Sequence, residues 1–194
     1  MPTVSVIYFS GSGHTAKLAE AVQKGAASVA GVKTNLLAIN GDDIAKGRYA
    51  NDAVLAQLDA SDAIIFGTPT YMGGPSWQFK KFADASSKAW FTRAWQDKVF
   101  AGFTNSASMN GDKLSTLHYL FTLAMQHGGL WVSMGLMPSN NKAAVRDSIN
   151  YVGGYNGLLT TSPSDASPAE MARGDFDTAR LFGERVAEVA RSRG

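Results

Sequence analysis

The sequence predicts an α/β protein built on a doubly wound, five-stranded parallel sheet with helices on both faces. Three observations carry this expectation. Short apolar runs alternate with segments of helical spacing along the whole chain. The run Ala63-Ile-Ile-Phe-Gly67 is continuously apolar, as a strand covered on both faces must be. The first run, Val4 to Phe9, stops abruptly at Ser10-Gly11-Ser12-Gly13-His14-Thr15, where a helical pattern begins. Strand, turn and helix in that order are the start of a right-handed crossover.

The elements follow in order. Leu18, Val22, Ala26 and Val29 recur at helical spacing from Thr15 to Ala30, and Gly31 ends that helix. Val32 to Ile39 is a β-prone run. Asn40 to Gln57 mixes loop with a short helix near Ala50 to Leu58. The strand Ala63–Gly67 is bounded by Asp62 and by a Thr-Pro turn. A helix over Ser76–Ala89, a strand over Val99–Phe103, a helix over Leu114–Gln126 and a last strand over Leu130–Met134 complete the sheet. Phe176, Ala179, Gly183, Val186 and Ala190 share one face of a final helix.

Composition limits what such a chain does. At 194 residues with 45% hydrophobic residues, one domain spanning 1–194 with a sizeable core is expected. A net charge of +2 without a run of Lys or Arg disfavours a nucleic-acid partner. The absence of cysteine excludes disulfides, thiolate metal sites and cysteine nucleophiles, and no metal site is expected. No stretch approaches the roughly 20 apolar residues of a membrane span, and no basic region precedes the first apolar run, so a soluble, cytoplasmic protein is expected.

The turn Ser10 to Thr15 concentrates the chemistry. A strand feeding a glycine- and hydroxyl-rich turn at a helix start gathers unpaired N–H groups and the positive helix end around one point, which suits an anion. His14 and Thr15 stand where a nucleoside-triphosphate loop needs Lys followed by Ser or Thr. A dinucleotide motif wants an acid about 20 positions further on, where Leu36, Leu37 and Ala38 lie instead. The hydroxyls of Ser10, Ser12 and Thr15 suit the exposed oxygens of a phosphomonoester such as that of FMN. An ordinary strand-to-helix turn capped by Ser12 or Thr15 is the plain alternative.

Two more loops leave strand ends on what should be the ligand side of the sheet. Thr68-Pro69-Thr70-Tyr71-Met72-Gly73-Gly74-Pro75 joins rigid prolines to a flexible glycine pair and a large aromatic; Asn105-Ser106-Ala107-Ser108-Met109-Asn110-Gly111 is rich in small polar residues. Together with the first loop they make a site for a flavin ring; each taken singly reads equally well as surface-turn chemistry.

At these residues the chain resembles the flavodoxin fold, and in detail the WrbA (tryptophan-repressor-binding-protein) type of NAD(P)H:quinone oxidoreductase. The matching segments are Tyr8-Phe9-Ser10, Gly13-His14, Asp62 through Thr70, Phe82 with Asp84, Trp90, Leu123-Ala124, His127-Gly128, and Ala179-Arg180 with Gly183-Glu184. The resemblance implies that Ser10–Thr15 hold FMN phosphate, that Thr70–Met72, within a cofactor-binding stretch Pro69–Gly73, contact the ring, that Asn105–Asn110 contact ring and ribityl chain, and that Trp90 belongs to the wall where nicotinamide or quinone stacks. It also implies flavin chemistry, with NAD(P)H as electron donor and a small-molecule quinone as acceptor, and a homo-oligomer, either a dimer or a homotetramer. The sequence departs from the family at Ser12, where an aromatic is usual, and at Ala107, Met109 and Asn110, which replace glycines. For His127 two readings stand: a donor to a quinone oxygen that titrates near neutrality, or a histidine finishing a helix before Gly128. The polar stretch from about 137 to 168 is expected to be an insertion before the last helix, near a neighbouring subunit's site. A flavodoxin-like electron carrier, a reductase of azo or nitroaromatic compounds, and a scaffold keeping only the fold are the other functions these residues allow.

Overall fold

The computed structural model describes residues 1–193. Strand β1 (Thr3–Tyr8) leads into helix α1 (His14–Ala27) and strand β2 (Lys33–Ala38). A small antiparallel hairpin, β3 (Ile44–Ala45) with β4 (Arg48–Tyr49), precedes helix α2 (Asp52–Asp59). Strand β5 (Ala63–Tyr71) turns back through β6 (Gly74–Pro75) into helices α3 (Trp77–Ala85) and α4 (Ser87–Thr92). Strand β7 (Val99–Ser106), helix α5 (Lys113–Gln126), strands β8 (Leu130–Trp131) and β9 (Leu158–Thr161), and helix α6 (Arg173–Ser192) follow.

The main sheet runs β2-β1-β5-β7-β8, parallel throughout this path, so the order reverses between β1 and β5. That is the flavodoxin-like order, with its ligand crevice at the reversal. Alternation along the central strands feeds two cores. Val4, Val6, Ala63, Ile65, Ala101 and Phe103 pack with α1 and α6 on one face. Ile7, Ile64, Phe66 and Phe100 pack with Phe79, Phe82, Trp95, Leu117 and Leu120 on the other. The second core is an aromatic lattice in which Phe66 meets Phe79 edge-on at 5.8 Å and the tilted ring of Phe100 at 5.3 Å.

Four expectations change. The strand from Ala63 does not stop at Thr68-Pro69 but runs nine residues to Tyr71. The Gly67 carbonyl accepts from the Phe9 N–H. Pro69, two residues on, turns its nitrogen to the same side, beyond the end of β1, where a missing N–H costs nothing. The helix expected over Ser76–Ala89 is two helices meeting at Ser86, whose Oγ donates back to the Ala83 carbonyl. The fifth strand is not the single run Leu130–Met134. β8 pairs with Val99 and Phe100 at one end of β7, and β9 pairs with Phe103–Ser106 at the other. The insertion is therefore an excursion inside the fifth strand, between β8 and β9, and not a segment lying wholly after it. It is docked on α6: the buried Asn150 side chain donates to the carbonyls of Leu136 and Gly154 and accepts from the Gly154 N–H, while its backbone N–H donates to Thr178 Oγ1. Among the described residues no helix is long and apolar enough to cross a membrane.

Candidate functional site

At the carboxyl ends of β1, β5, β7 and β9 lies a cavity of about 250 Å³. Its floor at the first loop is formed by Ser10, Gly11, Ser12, His14 and Thr15. Gly13 stands just before helix α1, at its N-cap, with a left-handed φ of 89° and no side chain to cap the helix. Its backbone N–H is taken by Ser10 Oγ at 3.1 Å, which closes the loop. The first amides of α1 beyond it lack a capping side chain and carry the positive end of the helix dipole. His14 shapes the loop: its Nε2–H donates to the Ala166 carbonyl at 2.8 Å, which fixes the tautomer.

The second wall comes from Pro69, Thr70 and Tyr71. Thr70 is buried, with its Oγ1 bonded to Thr104 Oγ1 at 2.9 Å and Thr116 Oγ1 at 2.7 Å, so β5, β7 and α5 are locked together beneath the cavity. Tyr71 stands half-exposed and spans the opening, because a Cβ at Gly11 would lie 2.4 Å from its hydroxyl. Glycine at position 11 is what lets the ring lie there.

The third wall is Asn105, Ser106 and Ala107. Asn105 Oδ1 accepts from Thr160 Oγ1 at 2.9 Å and from Ser162 Oγ at 3.0 Å, which ties β7 to a fourth wall of Ser162, Pro163 and Ser164. Sequence reasoning missed this fourth wall by assigning it to the insertion. The signal was present: Leu158-Leu159 followed by Thr160-Thr161-Ser162-Pro163 repeats the pattern of Phe66-Gly67 followed by Thr68-Pro69-Thr70, an apolar strand ending in hydroxyls and proline.

Several expected site residues do not line this cavity. Gly13 forms the helix start behind it. Met72, fully exposed, and Gly73 make the β5–β6 turn, with φ of 48° and 78°. Ser108, Met109 and Asn110 continue the third loop outward, exposed. Trp90 and His127 lie at the other end of the sheet, near the start of β7. That strand has eight residues, so at about 3.3 Å each its ends are roughly 25 Å apart.

His127 does not meet the expectation of a group titrating near neutrality. It is buried with its ring 4.4 Å from that of Trp95, and its Nε2 shares a hydrogen bond with Ser86 Oγ at 2.9 Å. Burial lowers its pKa to about 4, so at neutral pH the imidazole is uncharged. It follows the last residue of α5, which is the helix-ending reading of this histidine. Trp90 is half-exposed on α4 and shares a separate hollow of about 300 Å³ with Phe91, Arg93 and Gln126. Within one chain neither residue reaches the four-walled cavity.

The residues present fit FMN. Hydroxyls and uncapped helix amides suit its phosphate, and a slot between Tyr71 and the Asn105–Ala107 strand end suits its ring. Among the described residues no cluster of His, Cys, Asp and Glu is arranged to hold a metal ion.

The comparisons agree with this geometry. Residues 4–143 match the family described as NADPH-dependent FMN reductase. The chain is 48% identical over 97% of its length to a flavodoxin, FldP, of Pseudomonas aeruginosa, with 97% of that protein covered. It is 31% identical to an NAD(P)H dehydrogenase (quinone) of Syntrophobacter fumaroxidans, with 97% of each chain covered. A crystal structure of a flavodoxin, WrbA-like protein from Agrobacterium tumefaciens shares 51% identity and superimposes with a TM-score of 0.78 over 100% of both chains. The four-walled cavity at the sheet reversal and these similarities together place the chain in the FMN-binding, flavodoxin-fold NADPH-dependent FMN reductase family, on its WrbA-like side.

Proposed function

We propose that the protein is an FMN-dependent oxidoreductase that passes two electrons from NAD(P)H to a quinone-type acceptor. The observation that carries this reading is the asymmetry of the ring slot. Apart from His14 in the phosphate loop, Tyr71 is the one aromatic on the described walls, and the other walls of the ring slot are Asn105, Ser106, Ala107, Ser162, Pro163 and Ser164. A carrier that clamps its flavin between two aromatics excludes other rings; a slot with one aromatic and small residues opposite leaves a flavin face free to stack a nicotinamide or a quinone. The net charge of +2 also argues against an acidic surface made for docking basic redox partners.

When bound, FMN supplies the hydride chemistry, and this chain supplies position and electrostatics. Ser10, Ser12 and Thr15 hold the phosphate with the first amides of α1. Tyr71 covers the phosphate-side edge of the slot, and Thr70, fixed by Thr104 and Thr116, sets its depth. Asn105 is oriented by Thr160 and Ser162, so its amide N–H₂ remains to donate toward a ring carbonyl. Trp90 joins the acceptor wall only if a second copy of the chain brings it there, and the exposed pair Trp90 and Phe91 supports an oligomer in which it does. Sedimentation showing only monomer at micromolar concentration would remove Trp90 from the site.

A second reading, an electron carrier, is favoured by the name of the 48% identical relative, a flavodoxin. Anaerobic addition of NADH and NADPH to the FMN-loaded protein separates the two. Bleaching of the flavin bands within seconds is expected for the reductase; a bound flavin that stays oxidised overturns it in favour of the carrier.

A further inference from the structure

Lys113 is the first residue of α5, and its placement goes against three ordinary costs. It is 0% exposed, it puts a cation at the positive end of a helix, and it has no carboxylate of its own. Asp175, the acid that acts on it, is already held by Arg146 through a two-pronged pair, with Nη1 to Oδ1 at 2.9 Å and a second, shorter contact to Oδ2. The Lys113 ammonium donates to Ser106 Oγ at 2.9 Å and to the Ser108 carbonyl at 2.6 Å, which accounts for two of its three N–H donors. Ser106 lines the ring side of the cavity. An uncompensated cation therefore sits one hydroxyl behind the cavity wall. Burial, together with the nearby Arg146 guanidinium, outweighs the attraction of Asp175 and lowers the lysine pKa to about 8.

Buried unpaired charge is costly unless something repays it. The phosphate end of the site already has the α1 amides and three hydroxyls, whereas the ring end has no other cation on its walls. Two-electron reduction of a flavin with uptake of a single proton leaves one negative charge on the ring, and charge beside the ring is a lever by which a protein tunes that equilibrium. We propose that Lys113 is the resident countercharge of the ring site, favouring the reduced over the oxidised state of the bound flavin. This rests on the reading of the cavity as an FMN site. Lys113 is a positioning and electrostatic residue; its contact with the flavin runs through Ser106.

The test compares wild type with Lys113→Gln, which keeps a donor for Ser106 and Ser108 without charge, and Lys113→Met, which keeps only the shape. Oxidised-FMN affinity is measured by fluorescence titration, and the two-electron midpoint potential by anaerobic reduction against a reference dye. Both variants should bind oxidised FMN within about threefold of wild type and have a more negative potential, equivalent to at least a tenfold loss of affinity for the reduced form relative to the oxidised. Both apoproteins should also unfold at no lower temperature than wild type, since a buried cation has been removed. An unchanged potential in Lys113→Gln overturns the proposal, as does an equal loss of affinity in both oxidation states, which would make the lysine a loop pin or a phosphate contact. A marked loss of apoprotein stability in both variants would likewise assign it a structural role. Failure of the wild type to bind FMN is a different result and overturns the site reading itself.

Discussion

Gly183 of α6 lies against the backbone of Val22 in α1: a Cβ at position 183 would sit 1.9 Å from the Val22 carbonyl oxygen. The contact is reciprocal, since a Cβ at Gly25 would sit 1.8 Å from the Arg180 carbonyl oxygen. The two helices that cover one face of the sheet thus touch main chain to main chain, and α1 is the helix whose start forms the phosphate loop. Gly183→Ala should destabilise the protein by about 2 kcal/mol or more, because backbone cannot yield as a side chain can. Gly41→Ala, at a glycine with open space around it, should stay within about 0.5 kcal/mol of wild type. Urea unfolding of the three proteins measures both, and a neutral Gly183→Ala would disprove the close packing.

Gly11→Ala acts differently, because its added Cβ meets the free end of a half-exposed side chain, the Tyr71 hydroxyl. The tyrosine swings aside and the fold stays intact. FMN affinity should fall roughly tenfold, about 1.4 kcal/mol, with no change in the unfolding midpoint of the apoprotein. Adding Tyr71→Phe to Gly11→Ala removes the clashing atom and should recover part of the loss. Titration of FMN fluorescence into the single and double variants is the check; no recovery would mean that Gly11 serves the phosphate and not the ring.

The parts of the site written in contiguous residues were legible in the sequence. Ser10 to Thr15 declares itself because strand end, glycine and hydroxyls fall within one short stretch, and Pro69–Tyr71 and Asn105–Ala107 lie at the ends of strands of strong apolar character. What escaped depends on distant partners. Ser162–Ser164 reach the cavity only because β9 pairs with the upper half of β7 after the chain has left the sheet and returned; the apolar run ending in hydroxyls and proline at 158–163 can be read locally, but that it completes the strand begun at β8 cannot. Lys113 looks like an ordinary helix-start residue until burial shows that its ammonium points inward. His127 kept two readings in the sequence because a titratable residue beside a glycine pair suits either; packing against Trp95 and a hydrogen bond with Ser86 favour the helix-ending one within a single chain.

Arg146 connects the excursion to the site. Besides pairing with Asp175 it donates to the Thr161 carbonyl, and the single Thr161 hydroxyl proton is shared between the carbonyls of Ser106 and Ala107. Arg146→Met leaves a buried carboxylate without its partner. Breaking a fully buried pair costs about 3–5 kcal/mol, and the one-third exposure of the arginine side chain reduces this, through solvent screening, to about 2 kcal/mol here. Hydrogen exchange should speed up over residues 132–157 and β9 and remain slow in β1 and β5. Uniform acceleration across the sheet would mean that the excursion does not open as a separate unit.

The burial of His127 makes part of the acid stability depend on one residue. The histidine pKa is lowered by folding from 6.5 to about 4, so between those values the unfolded chain binds more protons than the folded one. Stability contributed by the neutral ring is present above about pH 6.5 and is lost as the pH falls toward 4, with a span on the order of 3 kcal/mol. His127→Gln keeps a polar partner for Ser86 but cannot titrate. Its unfolding free energy should start lower at pH 7, through lost contact with Trp95 and Phe100, and then fall less steeply than wild type between pH 6.5 and 4. Urea midpoints at half-unit pH intervals give the two slopes. Parallel curves would show that His127 is protonated in the folded state above this window, and that the ring is better solvated than its packing between Trp95 and Phe100 allows.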